Sequence, residues 1–132
     1  MPNLAEPSRV GRVEVLRVAR DWAYWGEWST VPGVMLATVV GAEAQELLAL
    51  VAGLPDAMRA ACFFPRYGLR AWGDDGILAE AAICYECSNG IVATPDGQHD
   101  WFGFAPKSEP GQSLLRELTR HDPDPGARSG QL

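Results

Sequence analysis

The chain has 132 residues, 47% of them hydrophobic, which is enough for one domain with a substantial apolar core. Its 11 basic and 17 acidic residues give a net charge of −6, with Lys107 as the single lysine. Nucleic-acid binders usually carry a basic face, so this balance argues against such a partner. The N-terminus has no signal-peptide pattern, and no apolar run approaches the ~20 residues that span a bilayer. We therefore predict a cytoplasmic protein that binds neither nucleic acid nor membrane.

The first half of the chain predicts two strands and a helix after a loose arm at residues 1–9. Arg12 to Ala19 alternates and then changes phase at Leu16, which predicts a strand with a bulge. Val34 to Val40 is apolar and β-branched, which predicts a buried strand. Ala42 to Leu54 has a helical pattern. Its core-facing stripe is predicted as Leu47, Leu50, Val51 and Leu54.

A tryptophan-rich segment lies between the two predicted strands. Trp22, Trp25 and Trp28 recur every three residues. One interpretation is that they pack over the core or cover an open sheet edge. The other is an exposed aromatic patch that anchors a partner, because tryptophan is common in binding hot spots.

Residues 62–89 predict an antiparallel hairpin with two distinct faces. One strand runs from Cys62 to Trp72 and the other from Ile77 to Cys87. Their odd-numbered side chains are apolar, and their even-numbered side chains carry every charge. A register whose position numbers sum to 150 preserves the faces and sets Arg70 opposite Glu80. A sum of 148 preserves the faces but loses that pair.

The strands continue after this hairpin. Asn89-Gly90 predicts a type I′ turn, because both of its central residues need positive φ. This turn would set Cys87 opposite Val92. Ile91 to Thr94 and His99 to Phe104 are then predicted as further short strands.

The C-terminal part predicts a helix and a tail. Ser108 is the expected cap of a helix from about Gln112 to His121. Residues 122–132 are polar and proline-rich, which predicts disorder. We therefore predict one α+β domain over residues 10–121. Its antiparallel sheet has about five or six strands, with two helices on one face.

The even-numbered face of the hairpin is the first candidate site. It gathers charged and aromatic side chains, and its partner-binding candidates are Arg66, Arg70, Trp72, Glu80 and Glu86. One interpretation is a solvated sheet face with cross-strand ion pairs. The other is a contact face for a protein partner or a small ligand.

The cysteines are the second candidate site. Their odd number disfavours a closed disulfide framework, so we predict Cys62, Cys84 and Cys87 as reduced, buried side chains. In a continuous strand Cys84 and Cys87 point to opposite faces about 10 Å apart. We therefore expect them to share neither a bond nor a metal ion, with Cys84 the more reactive thiol because it lies beside Arg66. Zinc held with His99 is the alternative to no cofactor, and it requires the strand to end before Cys84.

Two segments of the hairpin resemble a motif pair in a group of small bacterial proteins. Cys62 to Arg70 is similar to CF-x-P-R-x-G/A-[LI], and Ile83 to Cys87 is similar to IC-[FY]-x-C. The resemblance covers roughly residues 62–87, with weaker similarity in the preceding leucine-rich helix. It implies a shared structural role for Pro65-Arg66 and the Cys84-x-x-Cys87 pair, but no activity.

The sequence has no nucleophile elbow, P-loop or dinucleotide fingerprint. We therefore predict a non-enzymatic interaction protein that binds a protein partner through an acidic, tryptophan-bearing surface. One version is an immunity-type protein that neutralises a basic toxin. The alternatives are a zinc- or thiol-dependent protein and a small-ligand-binding domain that uses the Arg66/Arg70 face.

Overall fold

A computed structural model describes residues 4–19 and 30–125 of the chain. The predicted α+β architecture is confirmed, with six antiparallel strands in the order β2-β1-β3-β4-β5-β6. The elements are β1 (Arg12–Val18), β2 (Gly33–Val40), α1 (Gly41–Ala52), β3 (Tyr67–Gly73), β4 (Gly76–Cys84), β5 (Asn89–Ala93), β6 (His99–Gly103) and α2 (Glu109–Arg120).

Both helices pack against the same face of the sheet. Val51 of α1 and Leu118 of α2 are fully buried in one cluster with Val15, Leu69 and Ala81 from the central strands. Removal of this apolar surface from water is the main stabilising contribution to such a core. The opposite face of the sheet, here called the outer face, carries the even-numbered residues of β3 and β4.

The predicted β3–β4 register is confirmed, but β3 is shorter than expected. From Tyr67 to Ala71 the position numbers of opposite residues sum to 150, with Arg70 opposite Glu80. The register then shifts by one residue, and Trp72 lies opposite Ile77. β3 begins at Tyr67 rather than at Cys62. Pro65 has no backbone N–H to donate to a neighbouring strand, which fits a strand that starts after it.

The predicted end of β4 is wrong. The strand ends at Cys84, and residues 85–88 form a turn in which Ser88 has a φ of 55°. Asn89 and Gly90 open β5, with Cys84 opposite Asn89, so the predicted type I′ turn and the pairing of Cys87 with Val92 are also wrong. Gly90 fits this place because a Cβ there would come within 2.4 Å of the Phe102 ring.

β2 is an edge strand, not the buried strand that we predicted. Val34, Met35 and Val40 are 59%, 55% and 61% exposed. An apolar, β-branched run is expected in central and edge strands alike, because propensity does not encode strand order. The predicted irregularity near Leu16 is confirmed as a register shift between β1 and β2 after Val15.

The buried stripe of α1 differs from the prediction at one position. Leu47, Val51 and Leu54 are buried as expected, but Leu50 is half-buried and Leu48 takes its place in the core. The stripe is therefore rotated slightly toward Leu48. A truncation of Leu50 would remove less buried surface than we expected from the sequence.

Two predicted segment boundaries need correction. Leu4 is buried in the core, so the N-terminal arm is packed from Leu4 onward. The predicted disordered tail starts too early, because Asp122 is 6% exposed. Residues 126–132 of that tail lie outside the described residues, as do Trp22, Trp25 and Trp28.

Ser108 caps α2 as predicted, although the helix begins earlier, at Glu109. Its hydroxyl accepts a hydrogen bond from the Gly111 N–H at 3.1 Å. Ser108→Ala should lower the free energy of unfolding by about 1 kcal/mol, because it leaves that N–H without its acceptor. Urea denaturation checks this, with Ser113→Ala inside the helix as the matched control. A larger loss in the control would contradict the assigned cap.

Candidate functional site

The charged residues of the outer face form a closed network. Arg70 donates to Glu14 at 3.0 Å, to Glu80 at 2.8 Å and to the Val31 carbonyl at 3.0 Å. Glu80 is only 4% exposed and also accepts from the Val31 N–H at 3.0 Å and from the Thr30 hydroxyl at 2.8 Å. Burial alone would lower the pKa of Arg70, but the two carboxylates outweigh it and raise the pKa. The network therefore holds residues 30–31 over the sheet.

Trp72 extends this network toward the end of β3. Its indole N–H donates to Glu14 at 2.6 Å, and the Arg12 guanidinium lies 4.3 Å from the centre of its ring. Beyond it, an open cleft of about 860 Å³ runs along the β3–β4 turn, where Asp74 and Asp75 contribute carboxylates. Trp72 is thus held in place by its neighbours and lines the cleft.

The other predicted charged candidates are not on this network. Arg66 precedes β3 and lies 3.7 Å from the Asp122 carboxylate, so the expected Arg66/Arg70 pair is divided between two sites. Glu86 is exposed in the turn after β4 rather than on the sheet. The cross-strand ion pair of the first interpretation is present between Arg70 and Glu80, but Glu80 is buried rather than solvated.

Asp122 is the centre of a separate buried cluster. It forms an ion pair with Arg17 and accepts from the Tyr67 hydroxyl at 2.8 Å. Burial alone would raise the pKa of Asp122, but hydrogen bonds from Arg17, the Asp124 N–H and Tyr67 lower it below its ordinary range. Burial and the same hydrogen bond raise the pKa of Tyr67 to about 12. This cluster ties the end of α2 to β1 and β3.

The cysteines are not all reduced, contrary to the prediction. Cys62 and Cys87 form a disulfide, with their Cα atoms 5.7 Å apart, and Cys84 is free and buried. The Cys84 sulfur accepts from the Phe64 N–H at 3.4 Å and from the Cys87 N–H at 3.3 Å. The two motif segments are therefore in direct contact.

Cys84 does not have the exposed, cation-activated environment that we predicted. It is 1% exposed, and burial raises the pKa of its thiol, although backbone N–H groups of Phe64, Cys87 and Glu86 oppose that rise. The exposure on which the predicted reactivity of Cys84 depended is therefore absent, and Cys87, being in the disulfide, has no thiol for comparison.

The structure does not bring His99 to the cysteines. His99 pairs with Ala93, whereas Cys84 pairs with Asn89, which in turn pairs with Gly103. Four steps along β6, each about 3.3 Å, put the backbone of His99 about 13 Å from that of Gly103, which lies level with Asn89 and Cys84. Within residues 4–19 and 30–125, no group of three or more His, Cys, Asp or Glu side chains has a metal-holding arrangement.

Residues 56–66, here called the crossing loop, contact the end of β6 and cover part of the outer face. The Ala57 N–H donates to the Gly103 carbonyl at 3.3 Å, and the Ala60 N–H donates to the Cys87 carbonyl at 3.1 Å. The Asn89 amide donates back to the carbonyls of Ala60 and Cys62, at 3.0 and 2.8 Å. The loop contributes Phe63 to a second apolar cluster, whose other members are Ala82, Cys84, Cys87, Ile91 and Trp101.

The opposite sheet edge is different. Among the described residues β2 has one neighbouring strand, and its eight residues, GVMLATVV, include neither a charge nor a proline. Natural edge strands usually carry such residues, or are short or covered, because an open edge pairs with other chains. Sequence analysis missed this site, since only the sheet order reveals that Val34 and Met35 lie at an edge.

Comparisons with protein-family models, with curated proteins and with solved structures gave no match for this chain. The described part of the chain also contains no helix that is long and apolar enough to cross a bilayer.

Proposed function

We propose that this chain is a non-enzymatic interaction domain that binds an extended, basic segment of a partner protein along β2. The observation that supports the proposal is the composition of this edge. It combines outward-facing backbone groups with Val34, Met35 and Val40, each more than half exposed. Strand addition at a sheet edge draws its affinity from main-chain hydrogen bonds and its specificity from alternate side chains.

The negative charge of the chain favours a basic segment of another protein, rather than a second copy of this chain, as the strand that binds along β2. The net charge is −6, while β2 itself is uncharged. The helix that follows β2 directly adds the exposed carboxylate of Glu46, whereas the carboxylate of Glu43 pairs with Arg120 at 2.8 Å. A pair of identical acidic chains repels itself, whereas a cationic strand is attracted and steered toward this edge.

The tryptophan-rich segment extends the same proposal. Trp22, Trp25 and Trp28 join β1 to β2 in the sequence, and we propose that they supply aromatic anchors for the partner. An immunity-type protein that neutralises a basic toxin is one protein of this kind. Acidic recognition of a basic partner speeds the encounter and selects against acidic competitors.

Defined peptides test the proposal without knowledge of the natural partner. A peptide of alternating valine and arginine, as long as β2, should bind, and its valine/glutamate counterpart should not. Met35→Lys should weaken binding about tenfold or more, a loss of about 1.4 kcal/mol, because lysine is a natural block to edge pairing. Ala49→Lys adds the same charge on the exposed side of α1 and should leave binding unchanged.

Two results would overturn the proposal. If both peptides bind equally well, the edge does not select for positive charge, and the proposal of a basic partner is wrong. Self-association of the free chain that Met35→Lys abolishes would make the edge an interface between two copies. Isothermal titration calorimetry measures the first, and analytical ultracentrifugation measures the second.

Of the other two predicted functions, binding of a small ligand has less support than a thiol-dependent role. Glu14 and Glu80 already occupy the guanidinium of Arg70, and Arg66 lies apart from it, 3.7 Å from the Asp122 carboxylate, which argues against an anion-binding face shared by the two arginines. A thiol-dependent role is the second candidate, because Cys84 lies beside the Cys62–Cys87 disulfide. Cytosolic disulfides in mesophiles are usually transient or redox-sensing, so a cytoplasmic location, which stays a proposal, is compatible with such a role.

A further inference from the structure

The cysteine cluster contains both partners of a thiol–disulfide exchange. Cys87 is bonded to Cys62, and the sulfur of the remaining thiol, Cys84, accepts the backbone N–H of Cys87 at 3.3 Å. Cys84 and Cys87 are the first and fourth residues of the reversal after β4. A turn places such residues within about 7 Å of each other, which is also the span of a disulfide.

The two ends of the existing disulfide differ in their surroundings. Cys87 is 1% exposed and lies in the apolar cluster with Cys84, whereas Cys62 is exposed on the crossing loop. A buried thiol therefore lies beside the buried sulfur of the bond. Cys62 is therefore the better leaving group, because its thiolate would be released next to solvent.

We propose that the disulfide can move from Cys62–Cys87 to Cys84–Cys87 within the folded chain. Because Cys84 is buried, the turn after β4 first opens locally and admits water. The Cys84 thiol then loses its proton to water, and its thiolate attacks the Cys87 sulfur. The Cys84–Cys87 bond forms as the Cys62–Cys87 bond breaks, and the released Cys62 thiolate takes up a proton. One disulfide and one thiol are present before and after, so the step needs no oxidant or reductant.

The exchange would replace a cross-link between two distant segments of the chain by one within a single turn. The Cys62–Cys87 bond joins the crossing loop to the turn after β4 across 25 positions of sequence, whereas a Cys84–Cys87 bond lies within that turn. Without the Cys62–Cys87 bond, the loop is held by the hydrogen bonds of Ala57, Ala60 and Asn89. Loop opening would expose the buried side chain of Phe63, which now packs on Trp101.

Alkylation of the native, oxidised protein tests the exchange, because iodoacetamide traps any Cys62 thiol that forms. Peptide mapping after digestion at acid pH, where disulfides do not rearrange, then locates the bond. We expect one alkyl group per chain, on Cys62, together with a Cys84–Cys87 disulfide. In Cys84→Ala the exchange has no nucleophile, so alkylation of Cys62 should be lost and the Cys62–Cys87 bond should persist.

A second variant provides an independent test. Cys62→Ser retains only Cys84 and Cys87, and mild oxidation should join them in the folded protein. The proposal is overturned if oxidation leaves these two thiols free. It is also overturned if the native wild-type chain is alkylated on Cys84 with the Cys62–Cys87 bond intact, or resists alkylation until it is denatured.

Discussion

Loss of the Cys62–Cys87 bond should lower the free energy of unfolding by about 3.5 kcal/mol. The bond joins residues 25 positions apart, and closure of a loop of that length restricts the unfolded chain by about this amount. The measurement compares urea denaturation of Cys84→Ala with that of the double variant Cys84→Ala/Cys62→Ser. The Cys84→Ala background removes the alternative bond, and Cys62 is exposed, so the serine adds no buried polar group.

The same comparison in the presence of a reductant is the control. Reduction should bring Cys84→Ala to the stability of the double variant and leave the double variant unchanged. Equal stabilities of the two variants under oxidising conditions would contradict the presence of the disulfide.

Asp122→Ala should lower the free energy of unfolding by about 3 kcal/mol. The substitution removes the carboxylate that pairs with Arg17 and Arg66 and accepts from the Tyr67 hydroxyl. Removal of one partner of a buried ion pair typically costs about 3–5 kcal/mol. The low end applies because the side chains of Arg17 and Arg66 remain 20% and 25% exposed. Asp124→Ala, at an exposed aspartate two residues later, should be nearly neutral.

The pH dependence of stability is a second signature of Asp122. The pKa of Asp122 is lower in the folded chain than in the unfolded chain, where it is near 3.8. Its carboxylate therefore contributes fully to the free energy of unfolding above pH 3.8, and this contribution is lost as the pH falls through the pKa of the folded state. The wild-type chain should therefore lose stability in acid more steeply than Asp122→Asn below pH 3.8. Parallel curves for the two proteins would contradict the buried, ionised carboxylate.

The pairing of β3 with β4 from Tyr67 to Ala71 could be predicted from the sequence, although the ends of both strands could not. The apolar residues of this hairpin alternate with charges, and a slip by one residue would turn every side chain to the wrong face. The Arg70–Glu80 pair then distinguished the two registers that preserve the faces, and it is present at 2.8 Å. The cap of α2 was also predictable, because it depends only on residues close in sequence: the Ser108 hydroxyl accepts a hydrogen bond from the Gly111 N–H.

Features that depend on distant contacts were not predictable in this way. Asn89-Gly90 has the composition of a tight turn, but the Asn89 side chain instead binds the crossing loop, and Gly90 makes room for Phe102. Asp122 follows the last apolar residues of α2 and resembles the start of a polar tail. Only the fold brings Arg17 and Tyr67 to it.

The candidate sites show the same division. The resemblance implied a shared structural role for the two motif segments, and the structure places Cys62 against Cys87 and Phe64 against Cys84. The disulfide itself was not predicted, because the odd number of cysteines indicated reduced side chains. The end of β4 at Cys84 invalidated the argument that Cys84 and Cys87 point to opposite faces. The β2 edge had no signal in the sequence, because an uncharged, β-branched run has the same composition at the centre of a sheet.

Amide hydrogen exchange along β2 is the most direct test of the proposed binding edge. In the free protein, every second N–H of residues 33–40 points away from β1 and should exchange rapidly. Addition of the valine/arginine peptide should protect these N–H groups and leave the amides of β6 unchanged. Protection at β6 or on the helices, with β2 unaffected, would contradict the proposed edge.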